Sequence, residues 1–428
     1  MRIVQVVHWF LPRHSSGSEV YTYQLASALA QRHEVLVYCR EDGHTEARFC
    51  EEDDAYHGLP VHRVYYNPPP GPGYLARKAL ARFRNPRIEG SFAAYLDRAR
   101  PDLVHFQHLF KLSGALIAVA REMGFPTVVT LHDYWFLCDN GQLLQPGLRL
   151  CQGPRGGLRC PGCAEVTMPL GLRPLLNPFL LPLFLYRTRI LRRYLHQADA
   201  IISPSAYLRD VFMRHGFPPQ RILLCDHGTS LAWQPDAVPR RGGGVRFGYI
   251  ATIAPHKGLH VLLEAFHGLE APGAELWVYG ATASEPAYMA RLQKLAEGKA
   301  VRFMGPFDHA DIAQVLSELD LLVVPSVWPE NSPLTIHEAR AARLPVLASD
   351  IGGMSELVRE GRAGWLFRAG DAADLRRWLA DIVRYPEMLA QARAEIRPVK
   401  TMEENARELE ALYARLVSAR GRRGGRYR

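Results

Sequence analysis

The chain is poor in cysteine, with seven in 428 residues, and an odd, sparse set excludes the dense disulfide framework of a small secreted domain. Two of the seven, Cys39 and Cys225, end apolar strand-like runs, where a thiol behaves as a small hydrophobe. Long apolar runs are missing too. The most lipid-like stretch, 174–186, contains Pro178 and Pro182 and falls short of the roughly 20 residues a membrane-spanning helix needs. The opening MRIVQVVHWF has no cleavage-site pattern and reads as the first strand of a cytoplasmic protein. Aromatic-basic strand motifs for RNA are absent, so nucleic acid is not an expected partner, and there is no pyridoxal-type lysine motif.

What remains is ordinary globular composition, 48% hydrophobic and 22% charged, in a chain longer than the ~250–300 residues at which one core stops growing. Two domains are expected. A formal charge of +9 favours an anionic partner, whether a phosphate-bearing substrate or an acidic membrane surface. The N-terminal half alternates apolar runs (IVQVVH, EVLVYC, DLVHFQ, PTVVTL, ADAIISP, RILLCD) with helical patterns over 19–32, 112–122 and 207–215. Such alternation predicts an α/β domain with a parallel sheet covered on both faces. The stretch 233–245, WQPDAVPRRGGGV, lacks periodicity and reads as a linker between a first domain, 1–232, and a second, 246–400. The second series runs RFGYIA, a helix from Gly258, ELWVYG, AVRFMG, LDLLVVPS, LPVLAS and GWLF. A helix over 403–417, apolar at Leu409, Leu412, Tyr413 and Leu416, precedes a basic Gly-rich tail, 418–428, that reads as disordered.

The most informative stretch is VVPSVWPENSPLTIHEARAARLPVLAS, a strand, loop, helix and strand. Ser332 followed by Pro333 fits an N-cap and first helical residue. The amides and positive dipole end of a helix starting there favour a diphosphate. Glu330 lies in the loop before it and Glu338 about five residues in, some 7–8 Å along the axis by helical rise. Each ionised carboxylate only accepts hydrogen bonds, so the pair suits hydroxyls at two parts of one elongated ligand.

These residues resemble the Glu, seven residues, Glu motif of the retaining glycosyltransferases of family 4, whose GT-B fold sets two Rossmann-like domains across a cleft. The likeness extends to Pro325 and Ser326, Glu338 and Ala339, Pro345 and Val346, and to Gly352, Gly353 and Glu356. The resemblance implies a nucleotide-sugar donor, with Glu330 on hydroxyls of the transferred sugar, the amides of Asn331, Ser332, Pro333 and Leu334 at the sugar and phosphate, and Glu338 on the ribose. Proline, having no N–H, contributes only its carbonyl and shape there. The family's phosphate segment, Arg-Leu, three residues, Lys-Gly, matches Lys257 and Gly258, but Thr252 stands where arginine is usual. His132, in PTVVTLHDYW, occupies the place of the family's donor-facing histidine. In FLPRHSSGSE, Gly17 keeps the second glycine of the family's Gly-Gly-x-Glu turn, and Ser16 replaces the first.

By the same resemblance no cofactor is required for transfer, the acceptor is a glycan or lipid-linked sugar, and the C-terminal helix crosses back to the first domain. The expected setting is polysaccharide or glycolipid synthesis, in the cytoplasm or at the inner face of a membrane. Two other readings stay open: a GT-B nucleotide-sugar epimerase or phosphorylase, and a non-catalytic membrane-associated binding protein. Cys138, Cys151, Cys160 and Cys163, in an insert over about 138–163, can make a tetrahedral structural zinc site; reduced thiols or one disulfide pair are the alternatives. The basic, apolar stretches near 74–87 and 174–195 suit either an anionic lipid surface or ordinary packing on their own domain.

Overall fold

The computed structural model describes residues 1–42, 49–67, 74–163, 173–234, 243–282 and 286–424. Two open sheets carry the chain, each with helices on both faces. The first has eight strands in the spatial order Ile222–Leu224, Ala200–Ser203, Thr127–Thr130, Leu103–Phe106, Arg2–Val7, Glu34–Glu41, Leu59–Tyr66 and Phe49–Tyr56. All neighbours run parallel except the last pair. Central strands covered on both faces are almost continuously apolar, and Ile3, Val4, Val6 and Val7 are fully buried. The edge strand FCEEDDAY is instead rich in acids, which discourages pairing with another chain.

The second sheet is wholly parallel, in the order Val301–Gly305, Glu275–Tyr279, Arg246–Ile250, Leu321–Val324, Val346–Ser349 and Gly364–Phe367. Strand order reverses between Arg2–Val7 and Leu103–Phe106 in the first sheet, and between Arg246–Ile250 and Leu321–Val324 in the second. Ligands of such sheets sit beyond the strand carboxyl ends at these switch points.

The helix Met402–Gly424 returns to the first domain. Ala406, Leu409, Leu412 and Tyr413 join Tyr21, Leu25 and Leu29 of the helix Gly17–Ala30 in one buried cluster. Tyr413 Oη and His105 Nδ1 are 2.6 Å apart, and Tyr21 Oη donates to Asn405 Oδ1 at 2.8 Å. The helix runs on past 417 to Gly424, so residues 418–424 are not the irregular tail expected from their Arg and Gly content; 425–428 lie outside the described residues. Most of the linker, 235–242, also lies outside them.

Other boundaries shift. The helix expected from 112 begins at Leu116, because Ser113 Oγ accepts the amide of Ala115 and sets a turn first. The stretch near 74–87 yields only the short helix Tyr74–Leu80 before a new helix, Pro86–Ala99, capped by Asn85 through the Ile88 amide. The helix Arg173–Gln197 runs through both Pro178 and Pro182. Among the described residues no helix is long and apolar enough to cross a membrane.

Candidate active site

The strand Leu321–Val324 ends in Pro325 and leads through a tight loop into the helix Leu334–Ala341. Glu330 in that loop is buried, 6% exposed. One carboxylate oxygen accepts from Lys257 Nζ at 2.8 Å, and the other accepts from Ser326 Oγ. Burial alone pushes the Glu330 carboxyl up, but the charge and hydrogen bond of Lys257, with Ser326 and His256 adding, hold it below its ordinary value. Lys257 comes from the turn Pro255–Lys257 after Arg246–Ile250, so the pair spans the switch point of the second sheet.

Glycines permit this closeness. Gly258 has φ +74°, and a Cβ there would overlap the carbonyl of Pro325. A Cβ on Gly353 would overlap the carbonyl of Asn331, while the Gly353 amide donates to Glu330 O at 2.7 Å. The helix Gly352–Gly361 thus presses directly on the Glu330 loop. Gly353→Ala is expected to destabilise by roughly 2 kcal/mol, lowering Tm by about 4–8 °C. A Tm within about 1 °C of the parent in calorimetry, scaled the same way, would show that the loop can back away.

The helix starts one residue later than its sequence predicts. Pro333 takes the capping position in an extended conformation, and no side chain caps the helix. Ser332 fails as the cap because its hydroxyl is engaged elsewhere, 2.7 Å from His337 Nε2 and 3.3 Å from Asp226 Oδ1. Asp226 belongs to the first domain, and burial lifts its carboxyl to about 6 against the pull of Lys400. Leu334 is half-buried against the cluster shared by Gly17–Ala30 and the C-terminal helix. Asn331 Nδ2 donates to the carbonyl of His132 at 2.9 Å, linking the two domains, while its Oδ1 is buried without a partner.

Glu338 is not a solvated acid. It is 3% exposed, and its Oε1 lies 2.6 Å from His309 Nε2. Burial lowers the pKa of His309, yet the bond and charge of Glu338 outweigh it and raise the imidazole above its ordinary value. A raised histidine contributes stability that is fully present below the unfolded pKa, ordinarily ~6.5, and is lost as pH rises through the folded value. The Tm deficit of His309→Gln relative to the parent should therefore be larger at about pH 6 than at about pH 9. An unchanged deficit would mean that the ion pair is not what His309 contributes.

His132 follows the strand Thr127–Thr130, half-buried. Its Nε2 is 2.8 Å from Gln107 Oε1, an acceptor, so Nε2 carries the proton. Burial, then the neighbouring His227, push its pKa well below the usual range and keep the ring neutral. Thr252 is exposed at the end of Arg246–Ile250, and only its carbonyl is engaged, by Tyr249 Oη at 3.3 Å. Gly17 is exposed and opens its helix; a Cβ there meets nothing within 4 Å, so close packing does not demand glycine. The cysteines lie apart, around a small cavity of the first domain.

His309, Tyr134, His8 and His108 escape a reading of the sequence, whereas Glu356 already stands in its Gly-Gly-x-x-Glu motif. His309 pairs with Glu338 from a turn 29 residues away. Tyr134 Oη donates to the carbonyl of Pro329 at 2.6 Å. Glu356 accepts the amides of Ala206 and Tyr207 at 2.8 and 3.0 Å, tying the second domain to a helix start of the first. Beyond the carboxyl ends of Arg2–Val7 and Leu103–Phe106, the His8 and His108 rings lie 4.3 Å apart. They face the carboxylates of Glu19 and Asp133 at 3.4 and 3.1 Å.

Two Rossmann-like domains, with a Lys–Glu pair at the second switch point and a histidine from the first domain bonded to the same loop, define the GT-B class. Residues 15–233 match the model described as Glycosyltransferase Family 4, and residues 244–384 match that of Glycosyl transferases group 1. The chain belongs to glycosyltransferase family 4. It is 29% identical to the D-inositol 3-phosphate glycosyltransferase of Mycobacterium bovis over 96% of this chain and 82% of that protein. Its match to the glycogen synthase of Mycobacterium tuberculosis spans 48% of that protein, about half its length. The sucrose-phosphate synthase of Thermosynechococcus elongatus has the same fold, with TM-score 0.69 and 20% identity over 98% of this chain and 99% of that one. So does Anabaena HepE in complex with UDP and glucose, with TM-score 0.60 and 17% identity over 99% and 98%.

Proposed function

We propose that this protein transfers a sugar, with retention of configuration and without a catalytic metal, from a nucleoside diphosphate sugar to a glycan or lipid-linked acceptor. The observation that carries this reading is the part-buried Lys257–Glu330 pair, set against an uncapped helix start at the switch point of the second sheet. Lys257 and the free amides at the helix start supply the positive potential a diphosphate needs. Glu330 offers acceptors to the sugar hydroxyls, and Glu338, oriented by His309, offers them to the ribose. The neutral His132 faces the transferred sugar; its lowered pKa suits a hydrogen-bonding role and not that of a resident charge. The first domain binds the acceptor, with His8, Glu19, His108 and Asp133 around its own switch point. HepE, a fold neighbour, binds UDP and glucose, in keeping with a uridine or related donor here.

The product would enter cell-surface polysaccharide or glycolipid synthesis. Docking to the inner face of a membrane is supported by the helix Arg173–Gln197. One side packs on the first domain through Leu191 and Leu195, while Leu185 and Tyr186 are exposed beside the exposed Arg189, Arg192 and Arg193. Liposome flotation at low salt should enrich the protein with anionic and not with neutral vesicles; equal recovery from both would remove the membrane from the proposal.

The primary test is a thermal-shift series with UDP, GDP and ADP, since a ligand that binds only the folded state stabilises it by mass action, about 2.7 kcal/mol at a hundredfold excess over Kd. One nucleotide should stand out, and EDTA should leave both the shift and the transfer unchanged. A product anomer inverted relative to the donor, read by NMR, would reject retention. No shift with any of the three would reject the donor site itself.

A further inference from the structure

We infer that Cys138, Cys151, Cys160 and Cys163 bind one structural Zn2+ as a tetrathiolate in the first domain. The four are spread over residues 138–163, the last two in one turn closed by Cys163 N donating to Cys160 O at 3.0 Å, yet all line a single cavity of about 20 Å³ whose other walls include Leu137, Leu143, Leu144 and Pro154. That space suits one small ion or water, for which about 10–15 Å³ is the minimum; Asp139, Asn140 and Arg159 line it as well.

The surrounding backbone needs a staple. Between 138 and 163 the regular elements are two two-residue strands, Leu144–Gln145 and Arg149–Leu150, and two single turns, Arg155–Gly157 and Pro161–Cys163. Non-glycine residues Leu143, Leu148 and Arg155 hold positive φ, which costs energy unless the surroundings enforce it. A stretch this long with so little regular structure is uncommon in a compact domain.

A sulfur-directed donor is in place as a second, independent sign. The Gly153 amide donates to Cys151 Sγ at 3.4 Å. Amides aimed at sulfur favour the thiolate that metals require. Asn140 Nδ2 also donates to Cys163 O at 3.1 Å, closing the ends of the insert on each other. As free thiols the four do not form a closed ligand set, nor among the described residues do any three His, Cys, Asp or Glu side chains. Loading therefore requires the sulfurs to lose their protons and turn into the cavity they line.

The consequence is local order beside the cleft. Gln142 of the insert reaches His256, next to Lys257, at 3.5 Å, and the buried Arg187 contacts Asp139 at 3.0 Å. Zinc would hold the insert, and so the cleft wall, without touching the reaction.

The test is elemental analysis of the full chain, purified without chelator or metal-affinity resin, together with Co2+ titration of reduced, metal-stripped protein. About one Zn2+ per chain is expected, with visible thiolate-to-cobalt and tetrahedral d–d absorption saturating at about one equivalent. Cys160→Ser should lose both signals and lower Tm. Because that variant can fail to fold, the wild-type titration decides. Less than about a tenth of an equivalent of zinc with no cobalt–thiolate absorption, an iron–sulfur chromophore, or an intact mass two hydrogens light from a Cys160–Cys163 disulfide would each overturn the inference.

Discussion

Replacing Glu330 with Gln should lower the turnover number by about 10²–10³-fold, the usual cost of removing one preorganised polar group from a reacting centre, while UDP binding stays as tight or tightens. The two halves of this expectation have one cause. Lys257 Nζ donates to Glu330 at 2.8 Å, so a donor diphosphate must compete with that carboxylate for the lysine. Neutralising Glu330 releases Lys257 to the phosphates and removes the acid from the sugar hydroxyls. Gln keeps the shape and one acceptor for Ser326 Oγ, so the loop held by Gly353 should persist. Single-turnover transfer measured beside a UDP titration separates the outcomes. A loss of nucleotide affinity parallel to the loss of turnover would make Glu330 a scaffold of the loop. Glu338→Ala should show the reverse pattern, weakening UDP by roughly 10–100-fold, as expected for an acceptor of charge-assisted hydrogen bonds worth about 1.5–3 kcal/mol. Equal Kd values for parent and variant would move the ribose away from Glu338.

The parts of this site legible in the sequence are those fixed by short-range geometry. Glu330 and Glu338 are eight positions apart across one loop and helix, and Lys257 and Gly258 form one turn, so local spacing carries their meaning. Both sheets announce themselves as apolar runs because their central strands are covered on both faces. The edge strand Phe49–Tyr56 does not, since its acids hide the alternation. The illegible parts depend on partners distant in sequence. Ser332 has the right chemistry for a cap, but Asp226 of the other domain and His337 take its hydroxyl, and the helix begins a residue late. His309 gains its role only when the fold brings it to Glu338. The Arg-rich end of the chain reads as disordered by composition, whereas the packing of Leu409, Leu412 and Tyr413 on the first domain anchors a helix that then propagates outward.

For the proposed donor site, a threonine and not an arginine at 252 would concentrate the charge compensation of the diphosphate in one residue. His256 does not share it, because burial and the adjacent Lys257 push its imidazole down to about 4, leaving it neutral near pH 7. The segment 252–258 therefore offers the diphosphate a single cation, and Lys257→Ala should lower donor kcat/KM by about 10³-fold, roughly 4 kcal/mol at 1.36 kcal/mol per decade. The variant also leaves the buried Glu330 carboxylate without its cation, an expensive state, so Tm should fall as well. Lys257→Ala combined with Glu330→Gln distinguishes the two effects: stability should return while transfer stays low. Thr252→Arg in the parent should tighten UDP by up to about tenfold through a new charge-assisted contact, because Thr252 is exposed and its side chain can be enlarged toward solvent. Retention of donor kcat/KM within about threefold in Lys257→Ala, less than 1 kcal/mol on the same scale, would place the phosphates on other groups, and the pairing of Lys257 with Glu330 would then serve the fold alone.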